Sequence, residues 1–93
     1  MMRKSVHVIV RGRVQGVGFR AFVAREAEAL GLDGWTRNRR SGTVEVVVSG
    51  EAETVDRMLA ALRGGPPGSL VSDASESDYP ADLVTGFRVL PTE

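Results

Sequence analysis

The segment GRVQGVGFRAF, at positions 12–22, carries the residues whose types and spacing are best suited to chemistry. Gly12, Gly16 and Gly18 lie between a valine-rich stretch and a helix-like pattern, and Arg20 lies two residues beyond the last glycine. Backbone N–H groups converge where a loop enters a helix N-terminus, and the helix dipole favours negative charge there. Glycine lets the loop backbone approach a ligand closely. The spacing therefore indicates an anion site.

Arg20 falls in the first turn of the predicted helix, where a positive charge is unfavourable for the helix dipole. A bound anion would remove that penalty, and a guanidinium can hold two oxygens of a phosphate in a fork. On the sequence pattern alone, an alternative to anion binding is equally open. In that interpretation the glycines form a tight turn and Arg20 is an ordinary surface charge.

The glycine loop also fits a loose dinucleotide-binding pattern, G-x-G-x-x-[GA], over residues 16–21. That pattern is weak by itself, and the chain is too short for a doubly wound nucleotide domain. No Gly-Lys-Ser/Thr closes the loop, so it is not a Walker A sequence.

A second candidate is Asn38, within the segment GWTRNRRSGTVEVVVSG at positions 34–50. It lies at the end of a predicted strand, beside a turn at 39–42. An amide both donates and accepts hydrogen bonds, so it can orient a water molecule without becoming charged. The commoner use of asparagine beside a turn is to stabilise the turn, and this alternative stays open.

Hydrophobic periodicity predicts the elements that position these residues. Alternation predicts strands, and apolar spacings of three and four predict helices. The predicted strands are 4–11, 32–38, 43–49 and a polar edge strand at 70–79, the helices are 19–30 and 51–63, and 87–90 could add a short last strand.

The order β-α-β-β-α-β predicts an α+β fold of the ferredoxin-like split βαβ type, an antiparallel sheet with two helices on one face. The chain of 93 residues is long enough for one domain, 1–93, and not for two. In this fold the first two strands flank the third, so Asn38 can face the loop that ends at Arg20. The fold alone does not select a function.

Composition excludes several function classes. No cysteine is present, which removes disulfides, thiolate catalysis and thiolate metal sites. No apolar run approaches the roughly 20 residues that cross a bilayer, and a cytoplasmic location is expected.

The charge is unevenly distributed along the sequence. Net charge is zero, but residues 1–40 hold nine Lys or Arg against three acids. This excess suggests an anionic ligand, unless the opposite charges interleave in the fold.

Both segments resemble the two signatures of the acylphosphatase family. The first family pattern, aliphatic-x-G-x-V-Q-G-V-x-F-R, matches Val10 to Arg20 throughout. The second, G-aromatic-small-basic-N-x3-G-x-V-x5-G, matches Gly34 to Gly50 except at Thr36, where Ala, Val or Cys is usual. Thr is close to Val in shape, so we expect this departure to matter little.

The resemblance implies a stand-alone acylphosphatase that hydrolyses the carboxyl–phosphate bond of a small acyl phosphate. Backbone amides of the loop would bind the phosphoryl group, Arg20 would bind its oxygens, and Asn38 would position the attacking water. The phosphate-binding loop would comprise Gly12, Arg13, Val14, Gln15, Gly16, Val17 and Gly18.

The rest of the residue inventory fits that reaction. There is no G-x-S-x-G, no H-E-x-x-H and no acid cluster of metal-ligand spacing, so we expect neither a metal nor a cofactor. The one histidine, His7, lies in the first strand and is expected to be structural. A carboxylate leaving group, with a pKa of about 4, needs no protonation.

Two rival interpretations remain. The first is a non-catalytic ferredoxin-like module that binds phosphate or RNA, but aromatics are few and no RNP-like run is present. The second is an acylphosphatase-like domain of a larger carbamoyl-transfer protein, for which no zinc-finger pattern follows in the sequence. We expect no nucleic-acid or membrane partner, and a monomer.

Overall fold

Five strands and two helices make up the computed structural model, which describes residues 2–93. The elements are β1 (Arg3–Arg13), α1 (Phe19–Ala29), β2 (Asp33–Asn38), β3 (Val44–Glu51), α2 (Ala52–Gly64), β4 (Leu70–Asp78) and β5 (Phe87–Val89). Each predicted helix and strand is present, with boundaries shifted by only a few residues. The predicted domain starts at Met1, which lies outside the described residues.

The strands form one sheet in the order β4-β1-β3-β2-β5. The pairs β4–β1, β1–β3 and β3–β2 are antiparallel, as the ferredoxin-like prediction requires. The last strand, which the sequence left open, does form and pairs parallel with β2. The fold class is confirmed, and β5 makes the sheet mixed instead of wholly antiparallel.

Both helices cover the same face of the sheet and close the core against it. Successive strand residues point to opposite faces, so alternate valines of β1 and β3 meet the helices. The buried residues on this face are Val6, Val8 and Val10 of β1, Val44, Val46 and Val48 of β3, Phe19, Val23 and Ala27 of α1, and Val55, Met58, Leu59 and Leu62 of α2. Within residues 2–93, no helix has the length and apolarity to span a membrane.

The face of the sheet without helices carries a network of charged groups around Glu45, whose side chain is 11% exposed. Its two carboxylate oxygens accept hydrogen bonds from Arg37 Nε at 2.7 Å and contact His7 Nε2 at 2.5 Å. Burial would raise the pKa of this carboxyl, but the hydrogen bonds from His7 and Arg37 outweigh burial and hold the pKa below its ordinary value.

The network predicts a pH-dependent stability. The folded state lowers the pKa of Glu45, so the ionised carboxylate stabilises the fold. This stabilisation is complete above the unfolded-state pKa of about 4.5 and is lost as pH falls through the folded-state pKa. We expect Glu45→Gln to lower the free energy of unfolding by about 1–3 kcal/mol at pH 7, because it removes charge-assisted hydrogen bonds. Urea unfolding at pH 7 and pH 3 measures the difference, which should shrink at the lower pH.

The control for this pH comparison is Glu28→Gln, on the exposed side of α1. It should leave the free energy of unfolding nearly unchanged at both pH values. An equal loss for Glu45→Gln at pH 7 and pH 3 would contradict the assignment of this stabilisation to the carboxylate charge.

Candidate active site

An open cavity of about 350 Å³ lies where the loop after β1 enters α1. It is lined by Val14, Gln15, Gly16, Gly18, Phe19, Arg20, Ala21, Asn38 and Val89. The two residues predicted to carry chemistry, Arg20 and Asn38, are therefore brought to one cavity although 17 residues separate them in sequence. The strand order β1-β3-β2 accounts for this, since β3 holds the ends of β1 and β2 on either side of itself.

The loop reaches the helix through two left-handed residues. Gly16 and Gly18 each have φ of 75°, and a Cβ at either position would meet no atom within 4 Å. Backbone conformation, and not crowding, therefore requires glycine at these two positions. A side chain here would have to adopt a conformation that L residues rarely take.

The N-terminus of α1 is left open to a ligand. Gly18 is its N-cap, makes no side-chain capping bond, and the first turn carries no acid. By contrast, Glu53 lies in the first turn of α2. The first N–H groups of a helix have no partner within the helix, and an anion satisfies them and the dipole together.

Arg20 lies in this open first turn and is half-buried. Among residues 2–93, no carboxylate lies within ion-pair distance of its guanidinium, whereas Arg37 contacts both Glu45 and Glu93. The cost of placing a cation at the positive end of the helix dipole is thus not offset by any described side chain. This arrangement favours the anion-binding interpretation of Arg20 over that of a plain surface charge.

Asn38 is the last residue of β2, and its backbone is held on both sides. It pairs with Val44 of β3, and its carbonyl oxygen accepts a hydrogen bond from the Glu93 N–H at 3.0 Å. Its side-chain amide makes no hydrogen bond within residues 2–93. The turn that follows is closed by backbone bonds, from the Arg39 N–H to the Thr43 carbonyl and from the Gly42 N–H to the Arg39 carbonyl. An amide that the turn does not use is free to hold a water molecule.

Three of the predicted loop residues do not line the cavity. Gly12 lies at a bulge where β1 changes register against β4, and a Cβ there would collide with the Leu70 carbonyl. Arg13 is exposed, and Val17 packs against the core. Val14 is buried, so its backbone is what it can offer to a ligand. Contacts of these residues with a phosphate stay a prediction.

Val89 lines the cavity and was not among the predicted site residues. It belongs to β5, which forms only by pairing with β2, and a local pattern of three residues does not reveal such a pairing. Thr36, the departure from the family signature, is fully buried and donates its hydroxyl to the Glu45 carbonyl at 2.9 Å. The hydroxyl therefore has a partner inside the sheet.

Across residues 2–93, His, Cys, Asp and Glu form no group of three or more that could hold a metal ion. The cavity offers instead the backbone N–H groups of the first turn of α1, with the Arg20 guanidinium and the Asn38 amide, neither of which has a side-chain partner within the described part of the chain. Such a set can bind a phosphate-like anion and place a water beside it.

Fold and site together define a ferredoxin-like α+β domain with a glycine loop at an open helix N-terminus. On the same cavity lies the amide of Asn38, which has no side-chain hydrogen bond among residues 2–93. A model of the acylphosphatase family matches residues 6–89. The chain belongs to the acylphosphatase family, and its function is that of an acylphosphatase.

Individual relatives agree with the family match. An acylphosphatase of Azorhizobium caulinodans is 49% identical over 92 residues, a match that covers 98% of this chain and 99% of that protein. The crystal structure of acylphosphatase from Bacillus subtilis aligns with a TM-score of 0.89 and 37% identity, covering 96% of this chain and 99% of that one. The structure of an acylphosphatase from Coxiella burnetii aligns with a TM-score of 0.90 and 38% identity, covering 95% of this chain and 93% of that one.

Proposed function

We propose that this acylphosphatase works without a metal ion, with Arg20 and the loop 12–18 binding the phosphoryl group and Asn38 positioning the attacking water. The observation that carries the proposal is the unpaired state of two polar side chains on one cavity. Among residues 2–93, neither the Arg20 guanidinium nor the Asn38 amide makes a hydrogen bond or an ion pair. Both line the cavity beside the open helix N-terminus.

The reaction needs little from the protein besides positioning and charge stabilisation. The water oxygen forms a bond to phosphorus while the bond from phosphorus to the carboxyl oxygen breaks, giving carboxylate and phosphate. The leaving carboxylate has a pKa of about 4 and departs without protonation. The water proton goes to a phosphate oxygen of the substrate, since no described side chain at the cavity is a suitable base.

Charge builds on the equatorial oxygens of the transferring phosphoryl group. Arg20 and the N–H groups of the glycine loop surround that group in advance, so they do not need to reorganise during the reaction. Asn38 holds the water on a rigid strand end, which converts a bimolecular encounter into a positioned attack. These roles are the acylphosphate phosphohydrolase chemistry that we assign to this site.

The metal-free character predicts that excess EDTA leaves hydrolysis of benzoyl phosphate unchanged. The rate should stay within about twofold of the untreated enzyme, because no step requires a Lewis acid to stabilise the charge that Arg20 already faces. Release of benzoate, followed by absorbance, measures the rate before EDTA, after EDTA and after addition of excess Mg²⁺.

A rate that EDTA abolishes and Mg²⁺ restores would contradict the metal-free proposal while leaving acylphosphatase activity intact. A well-folded wild type with no turnover under all three conditions would contradict the proposed function itself.

We also propose that residues 1–93 act as a single, monomeric domain in the cytoplasm, with no nucleic-acid or membrane partner. The net charge of zero supports the absence of a nucleic-acid partner, since domains that bind nucleic acid usually carry a strong positive excess. The alternative of a non-catalytic phosphate- or RNA-binding module is not favoured by the comparisons with acylphosphatases. On the sheet face without helices, Arg37 lies over the Trp35 ring and is paired with Glu45, so this face is occupied by internal contacts.

A further inference from the structure

The side chain of Gln15 spans from the phosphate-binding loop to the turn that follows Asn38. Its Nε2 donates to the Arg39 carbonyl at 2.7 Å and to the Thr43 carbonyl at 2.9 Å. The two acceptors lie 24 and 28 residues away in sequence. They are themselves joined across the turn, because the Arg39 N–H donates to the same Thr43 carbonyl at 2.9 Å.

The orientation of the Gln15 amide is determined by these partners. Both acceptors are carbonyl oxygens, so only the NH2 end of the amide can face them. An amide nitrogen carries two hydrogens, and each one is used. The Gln15 side chain therefore has no donor left for a phosphate oxygen, although the residue lines the cavity.

Resting on the proposed function, we infer that Gln15 is a positioning residue, whose side chain sets the distance between the phosphate-binding loop and Asn38. One bridged carbonyl belongs to Arg39, the residue directly after Asn38. In-line attack requires the water held by Asn38 to lie at a fixed distance from phosphorus, and a displacement of about 1 Å can cost a factor of about 100 in rate. The bridge joins the two parts of the site that define this distance.

The loop needs such a bridge because its own backbone constrains it weakly. Val14 and Val17 pack in the core, but Gly16 and Gly18 have no side chains to pack, and neither valine can donate a hydrogen bond to the turn after Asn38. The backbone hydrogen bonds of β1 end at Arg13, and those of α1 begin at Gly18. Between these points, the two hydrogen bonds from the Gln15 side chain connect the loop to the turn that follows Asn38.

The test compares Gln15→Glu with Gln15→Met, using benzoyl phosphate and inorganic phosphate as probes. At pH 7 the carboxylate of Gln15→Glu would point acceptor atoms at two carbonyls, so we expect kcat to fall about 10- to 100-fold. Protonation turns that carboxyl into a donor, so the deficit relative to wild type should shrink between pH 7 and pH 5. Gln15→Met keeps the length, adds no charge and has no donor, so its deficit should be the same at both pH values.

Inorganic phosphate, as a competitive inhibitor, separates positioning from binding. Its inhibition constant should change less than kcat in both variants, since Arg20 and the loop amides remain. Ser41→Glu provides the charge control, because Ser41 is exposed in the same turn and its hydroxyl is hydrogen-bonded to the Thr43 hydroxyl and not to Gln15. Its kcat should stay near the wild-type value at both pH values.

Stability is measured in parallel by urea unfolding, and kcat is compared at a temperature where each variant is folded. Folded Gln15→Glu and Gln15→Met with wild-type kcat would overturn the inference and leave the proposed function standing. A Gln15→Glu deficit that does not depend on pH would also overturn it. Absence of turnover in wild type would overturn the proposed function, and this role of Gln15 with it.

Discussion

Replacement of Arg20 by alanine is expected to lower kcat/KM for benzoyl phosphate by at least about 10³-fold. Arg20 lines the cavity next to the N–H groups of the first turn of α1, and no carboxylate of residues 2–93 forms an ion pair with it. Its guanidinium would bind the phosphate in the ground state and hold the charge that grows on the phosphoryl oxygens. The substitution removes both interactions, so KM should rise while kcat falls.

Two variants make the Arg20 result specific. Arg25→Ala removes an exposed arginine from the same helix, away from the cavity, and should leave kcat/KM within about twofold of wild type. Arg20→Lys keeps the charge but loses the forked donors, so it should recover only part of the lost rate. An Arg20→Ala enzyme that retains more than a tenth of wild-type kcat/KM would contradict the proposed role of Arg20.

The Arg20→Ala variant has a further expected property. It removes a cation from the positive end of the dipole of α1, where no described acid neutralises it. The free energy of unfolding should therefore stay equal or rise by a few tenths of a kcal/mol. Loss of activity with no loss of stability would distinguish a binding role from a structural one.

The sequence predicts the local parts of this fold well, because their signals lie in neighbouring residues. Helix α1 begins at Phe19 as expected, and Gly31 after it has φ of 67°, which agrees with a left-handed cap residue. The end of β1 was less predictable. The strand continues to Arg13 because residues after the bulge at Gly12 pair with β4, a partner about 60 residues away.

In the candidate site, too, only the features that depend on neighbouring residues could be predicted. The signatures around Arg20 and Asn38 indicated two halves of one site, and the strand order places both halves on one cavity. Neither Val89 nor the bridge from Gln15 could be predicted in this way. Both depend on contacts between segments distant in sequence, and no local spacing of residues encodes the distance between them.

Replacement of Asn38 by alanine is expected to lower kcat by about 10²–10³-fold, the usual effect of removing one preorganised polar group. The amide of Asn38 touches water and not the substrate in the proposed mechanism, so KM should change little. Its backbone stays in place, because strand pairing with Val44 and the bond from the Glu93 N–H do not involve the side chain. Steady-state hydrolysis of benzoyl phosphate measures both constants.

The alternative role of Asn38, as a residue that only stabilises the turn, makes a different prediction. Its loss would then lower stability and leave kcat of the folded enzyme unchanged. Ser41→Ala, in the same turn, serves as the control and should retain wild-type kcat. If Asn38→Ala raised KM alone, the assignment of Asn38 to the water would be wrong.

Inorganic phosphate separates the two proposed roles within the cavity. It occupies the place of the phosphoryl group but needs no attacking water, so its inhibition constant reports binding alone. Asn38→Ala should therefore keep the wild-type inhibition constant while its kcat falls, whereas Arg20→Ala should lose inhibition by phosphate. If both variants bound phosphate equally poorly, the division of the cavity into an anion-binding part and a water-positioning part would not hold.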